Sequence, residues 1–315
     1  MGRRIAAPFA ALLLVAAAGC AHRSGSPGAE CPPVENAAAA ACRIAAADTV
    51  LHDPGAAPDA RAEAGRRAQQ AYAVLAVHPD WDTAVAGAVT PALRGQVALA
   101  VDADRQLNDL AGPPGVNLPS WRIIDPLPAD QLRGYYSEAQ RRFGVDWTVL
   151  AAINLVETRM GRVVGLSSAG AQGPMQFMPA TWARYGLGGD VWNPRDAVLG
   201  AANYLAMNGA AANGAAANGA AANGAPATGV ANGAADPAWL DRALHRYNND
   251  VRYVRAVRDY AAMMAADPRA FDGVLSWPVR YRTVAGDVEL PTGYRSEHPL
   301  PVAQWLATHP QPEQR

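Results

Sequence analysis

Glu157 closes an apolar run, "DWTVLAAINLVE", after which the chain passes into "TRMGRVVGLSSAGAQGPMQFMPATW", rich in glycine, serine and other small residues. Spacings of three and four put Leu150, Ile153 and Glu157 on one helical face. The carboxyl therefore projects from the apolar side, near the helix's C-terminal end. A carboxyl there loses hydration, which disfavours its charged form and raises its pKa. Such a group keeps a proton near neutral pH, which is what protonating the leaving oxygen of a glycosidic bond requires. Most glycosidases set a second carboxylate across the bond, as nucleophile or as base for water. Here the nearest acidic residues in sequence are Asp146, placed as a helix N-cap, and Asp190. Neither is aimed at the same bond by the same loop.

Three stretches in order, "VET", "SSAGAQGPMQFMPATW" and "RYN", resemble the lytic transglycosylases with a lysozyme-like fold. That family's pattern runs from a catalytic Glu, usually Glu-Ser, through Ser-x-x-Gly-Ala-x-Gly-Leu-Met-Gln-x-Met-Pro to a later Ala-Tyr-Asn. The resemblance spans roughly residues 125 to 265 and accounts for the lone carboxylate. It implies cleavage of the β-1,4 bond between N-acetylmuramic acid and N-acetylglucosamine in peptidoglycan. The muramic acid C6 hydroxyl then attacks C1 to give a 1,6-anhydro end, with one glutamic acid serving as acid and then base. No cofactor is implied.

By this resemblance Glu157 is the acid/base, and Ser167 hydrogen-bonds near the acetamido group and the glutamate. Gly170, Ala171 and Gly173 let backbone approach the sugar. Met175, Gln176 and Met178 line the saccharide groove, and Tyr247, followed by Asn248, lies beside the glutamate and orients it. Thr158 stands where the family has serine, Pro174 where it has leucine, and "RYNND" where it has Ala-Tyr-Asn-Ala-Gly. Taken singly, Met175, Phe177 and Met178 would be core residues and Ser167 a turn residue. Their joint order at family spacing favours the site. Two other readings remain open: a hydrolytic muramidase of the same fold, with Asp190, Asp196 or Asp250 activating water, and a catalytically silent peptidoglycan-binding scaffold.

Helices must position these residues. "LPADQLRGYYSEAQRRFG" and "DWTVLAAINLVE" read as two, the second capped by Asp146. "PATWARYG" and "NPRDAVLGAANYLAMNG" read as two more, each beginning at a proline. Residues 38–115 form an alanine-rich helical region broken at "DPGAAPDA" and "VHPDWD", with Val74, Leu75, Leu93, Val97, Val101, Leu107 and Leu110 as packing positions. "AGPPGVNLPSW" marks a boundary, and the lysozyme-like domain is expected over 122–275. Within it, 208–235 repeats five residues of the type NGAAA, a period that fits neither helix nor strand, and reads as a low-complexity insertion. The 276–315 extension holds "WPVRYRTVAGDVELPTGY", which alternates around a turn and predicts a small hairpin. The expected class is mainly α.

The 315 residues carry a net charge of −1, which gives no basis for attraction to nucleic acid. All 27 cationic side chains are arginine. Residues 1–19 read as a signal peptide, and "AAGC" at 17–20 resembles a lipobox with Cys20 as the lipidated first mature residue. That implies an exported protein anchored to a membrane of the cell envelope by lipid, with 20–37 as tether. Lipidation of Cys20 leaves Cys31 and Cys42 as a candidate disulfide in an oxidising compartment. The six histidines are scattered, and Cys31 and Cys42 lack zinc spacing with them, so no metal site is expected.

Overall fold

The computed structural model describes residues 31–210 and 238–310. The signal peptide, Cys20 and residues 211–235 of the NGAAA repeat lie outside them. Four helices come first: α1 (Ala37–His52), α2 (Pro58–Ala76), α3 (Asp82–Ala88) and α4 (Pro91–Leu110). Local chemistry sets their ends. The Asn36 side chain accepts from the Ala39 N–H, and Thr90 caps α4 ahead of Pro91. A disulfide joins Cys31, ahead of α1, to Cys42 within it.

The second set comprises α5 (Ala129–Phe143), α6 (Trp147–Thr158), α7 (Pro179–Tyr185), α8 (Pro194–Ala210), α9 (Trp239–Tyr247), α10 (Val251–Ala266) and α11 (Ala270–Leu275). Gly144, at φ 69°, closes α5, and Asp146 caps α6 by accepting from the Thr148 N–H. The two sets share one hydrophobic core. Leu93, Val97 and Val101 enter it from α4, which packs on α10, and α10 packs in turn on α6. The remaining packing positions divide: Leu75 is buried, whereas Val74, Leu107 and Leu110 lie partly buried against the core.

A smaller β layer has its own core of Leu118, Ile123, Val279, Val288, Leu290, Tyr294 and Val302. The C-terminal hairpin is formed by β4 (Val279–Thr283) and β5 (Gly286–Leu290), antiparallel with Tyr281 opposite Val288. The proline-glycine segment around residues 112–121, read as a boundary, is built into this layer. β1 (Asn117–Leu118) pairs with β6 (Leu300–Pro301), just ahead of α12 (Val302–Leu306), and β2 (Arg122–Ile123) pairs with β3 (Val163–Val164). The architecture is mainly α, with few and short strands. Among the described residues no helix is long and apolar enough to cross a membrane.

Candidate active site

Glu157 occupies the last turn of α6, above the fully buried Leu150 and Ile153. The Tyr253 hydroxyl, from α10, donates to its Oε1 at 2.7 Å. Among the described residues the carboxyl has no ion-pair partner. Burial pushes its pKa up to about 7, and the Tyr253 hydrogen bond works against that rise. Burial, followed by the charge of Glu157, holds the Tyr247 and Tyr253 hydroxyls well above the usual tyrosine range. Both therefore remain donors at neutral pH.

A buried polar network fixes the helix end. Tyr136 donates to Asn154 Oδ1 at 2.7 Å, and Asn154 Nδ2 donates to the Pro174 carbonyl at 2.8 Å. The Thr158 hydroxyl donates to the same carbonyl at 2.6 Å and accepts from the Gly161 N–H at 3.1 Å. Thr158 and Pro174, the two departures from the family pattern near the glutamate, thus meet each other. Beyond Thr158, Arg159, Met160 and Gly161 are left-handed, at φ 51°, 62° and 81°. For the two non-glycines this costs about 1–3 kcal/mol each. The Met160 N–H returns to the Asn154 carbonyl at 3.0 Å, closing the helix.

Ser167 stands in a closed turn. Its N–H donates to the Ala171 carbonyl at 3.1 Å, and its Oγ accepts from the N–H groups of Ala169 at 3.2 Å and Ala171 at 3.0 Å. That leaves the hydroxyl's own proton for another acceptor. Gly173 has φ 73°, and a Cβ there would fall 1.9 Å from the Val191 carbonyl oxygen, so its smallness serves packing within the protein. Gln172 and Phe177 exchange backbone hydrogen bonds of 2.9 and 2.8 Å, enclosing a tight loop. In that loop Gln176 is left-handed, with its amide on the Gly173 carbonyl.

The groove positions therefore separate. Met178 is 43% exposed at the entry to α7, and Gln176 is half-buried. The expectation that Met175 lines the groove is corrected: its side chain is fully buried in the core, and its carbonyl accepts from Tyr247. The expected role of Tyr247 divides: it lies near enough for the charge of Glu157 to act on its hydroxyl, but it makes no hydrogen bond to the carboxyl. Its hydroxyl donates to the Met175 carbonyl at 2.6 Å, while Tyr253 holds the glutamate. The reason is the break at Asn248–Asp250. Asn248 ends α9, Asp250 caps α10, and the Tyr247 and Tyr253 rings lie nearly parallel at 6.3 Å. Tyr253, Tyr136 and Asn154 were not singled out from sequence. The available signal was Asn154 itself, a lone amide inside an apolar helix that must find buried partners.

The other acidic candidates are held locally. Asp190 accepts from the Trp192 N–H, Asp196 accepts from the Asp190 N–H, and Asp250 pairs with Arg252 while capping α10. Hydrogen bonds from Arg252 hold the Asp250 carboxyl at about 2. Among the described residues Asp48, His52 and Asp267 have ligand spacing, but they belong to α1 and the turn after α10.

Residues 134–235, which include Glu157, Ser167 and Gly173–Met178, match the family described as the transglycosylase SLT domain. Over 82 residues the chain is 38% identical to the membrane-bound lytic murein transglycosylase F of Thiobacillus denitrificans. That match takes 26% of this chain and 17% of the relative, so the chain spans well under two thirds of the curated relative's length. No solved structure matches. Tyr247, Tyr253 and the C-terminal hairpin fall beyond the matched family segment.

Proposed function

We propose that this chain, which carries an SLT-type transglycosylase domain, cleaves the β-1,4 bond between N-acetylmuramic acid and N-acetylglucosamine in peptidoglycan without consuming water. The observation that carries the reading is a single glutamic acid held by the Tyr253 hydroxyl, with no cation paired to it among the described residues and with burial raising its pKa to about 7. Protonated Glu157 gives its proton to the leaving glycosidic oxygen as the C1–O bond breaks. The sugar's 2-acetamido group assists at C1. The resulting carboxylate, steadied by the Tyr253 hydroxyl, then accepts the C6 hydroxyl proton as that oxygen closes on C1. The glutamic acid is regenerated, and a 1,6-anhydro end is released. Asp190, Asp196 and Asp250 are already engaged with nearby backbone, which supports a route needing no second carboxylate.

Mass spectrometry of digested sacculi tests this. Anhydro ends are expected, and reducing ends would establish the hydrolytic muramidase instead. The relative is named as membrane-bound, and we place this chain at the cell envelope too, held by lipid on Cys20. Cys20→Ala should release the protein from the membrane fraction; unchanged membrane association would overturn the anchor.

A further inference from the structure

The chain between Glu157 and Ser167 is tied down along its whole length, and its last fixed point lies outside the matched family segment. Residues 158–161 are held by the Thr158 network. Arg162 bonds to the Thr292 hydroxyl at 3.2 Å, and its carbonyl accepts from the Ile124 N–H at 3.0 Å. Val163 and Val164 pair with Ile123 and Arg122. Trp121 holds Gly165 and Leu166. Its indole N–H donates to the Leu166 carbonyl at 3.2 Å, and a Cβ on Gly165 would meet its ring at 2.7 Å. The next residue is Ser167.

Trp121 is held in turn by the C-terminal layer. Its ring meets Tyr281 of β4 edge-on at 5.7 Å, and its carbonyl accepts from the Ser296 N–H at 3.0 Å. Two residues on, Ile123 bonds through its N–H to the Tyr294 carbonyl and through its carbonyl to the Gly293 N–H, each at 2.9 Å. The indole is a flat, rigid side chain whose donor fixes one carbonyl, so it transmits the position of the hairpin to the Ser167 turn.

We propose that Trp121 is a positioning residue that sets where the Ser167 turn stands, making the C-terminal β layer a working wall of the site. The inference rests on the reading above in one respect, that the Ser167 turn belongs to the substrate groove.

The test uses the full chain with Trp121→Ala, Trp121→Phe, Ser167→Ala and the Trp121→Ala/Ser167→Ala double variant. Thermal unfolding first establishes that each is folded; Trp121→Phe, which keeps aromatic cover but loses the donor, serves if the alanine variant is not. Trp121→Ala should lower kcat/KM on sacculi about tenfold or more. The double variant should then be no slower than Ser167→Ala alone, because Trp121 acts through the serine turn. Losses that multiply in the double variant, or full activity in Trp121→Ala, would overturn the proposal.

Hydrogen exchange separates this failure from that of the proposed function. If the wild type releases no anhydro ends, the function falls. The Ser167 and Ala171 amides should still exchange about tenfold faster or more in the Trp121 variant, with α6 unchanged. Unaltered exchange at those two amides would overturn the positioning role whatever the activity.

Discussion

Glu138 and Glu157 lie on successive helices, and their surroundings drive their protons in opposite directions. Glu138, on α5, receives Nε and Nη2 of Arg195 at 2.8 and 2.5 Å, with Arg142 3.7 Å away. The Arg195 hydrogen bond holds its carboxyl below the usual range. Glu157 has a tyrosine where Glu138 has an arginine, and burial pushes it up to about 7. A charged donor would have fixed the carboxylate permanently. A neutral phenol can steady the carboxylate while still allowing it to take a proton, which an acid that must later act as base requires. The difference lies in the partner and the solvent, not in the residue type.

The strongest way to break the comparison is Glu157→Gln. Turnover of sacculi should fall about a thousandfold, with binding retained; comparable turnover would remove Glu157 from the mechanism. The same variant reads the environment through stability. The folded pKa of Glu157, about 7, lies above its ordinary value of 4.5. The folded state therefore binds this proton more tightly than the unfolded chain does. Glu157's contribution is fully present below 4.5 and is lost as pH rises through 7. Between pH 5 and 8 the wild type should lose more of its Tm than Glu157→Gln does. Parallel Tm profiles would mean the carboxyl is not desolvated.

Tyr253→Phe should act less strongly and sharpen the comparison. Losing the donor to the carboxylate should slow turnover about tenfold. It should also move the alkaline limb of kcat to higher pH, because the interaction that lowers the Glu157 pKa is gone. A limb that stays in place would show that Tyr253 does not set this proton's affinity.

How far the sequence revealed this arrangement depended on the range of the interaction. Period and capping exposed α6, with Asp146 at its start, and alternation about a turn exposed the β4–β5 hairpin. Both signals are local. Tyr253 was hidden because the Asn248–Asp250 break redirects the chain between two tyrosines, and a tyrosine at helical spacing otherwise reads as packing. Met175 reads as groove in the sequence because a motif position does not say whether the side chain faces the groove or the core. Trp121 pairs with a carbonyl 45 residues away, and no local pattern encodes such a contact. The "AGPPGVNLPSW" stretch reads as a boundary for the same reason, since its partners are strands near the other end of the chain.

The smallest effect is expected from Glu138→Gln, the control on the other side of the comparison. The substitution weakens the Arg195 fork, but Arg195 keeps 45% of its side chain in solvent, where water and salt screen the pair. The unfolding midpoint should stay within about 2 °C of wild type. The Glu138 carboxyl bonds to Arg195, whereas Glu157 bonds to Tyr253, so the alkaline limb near pH 7 should not move. Should it move, the pKa of Glu157 would be responding to charge on α5, and its elevation could no longer be assigned to burial beside a single tyrosine.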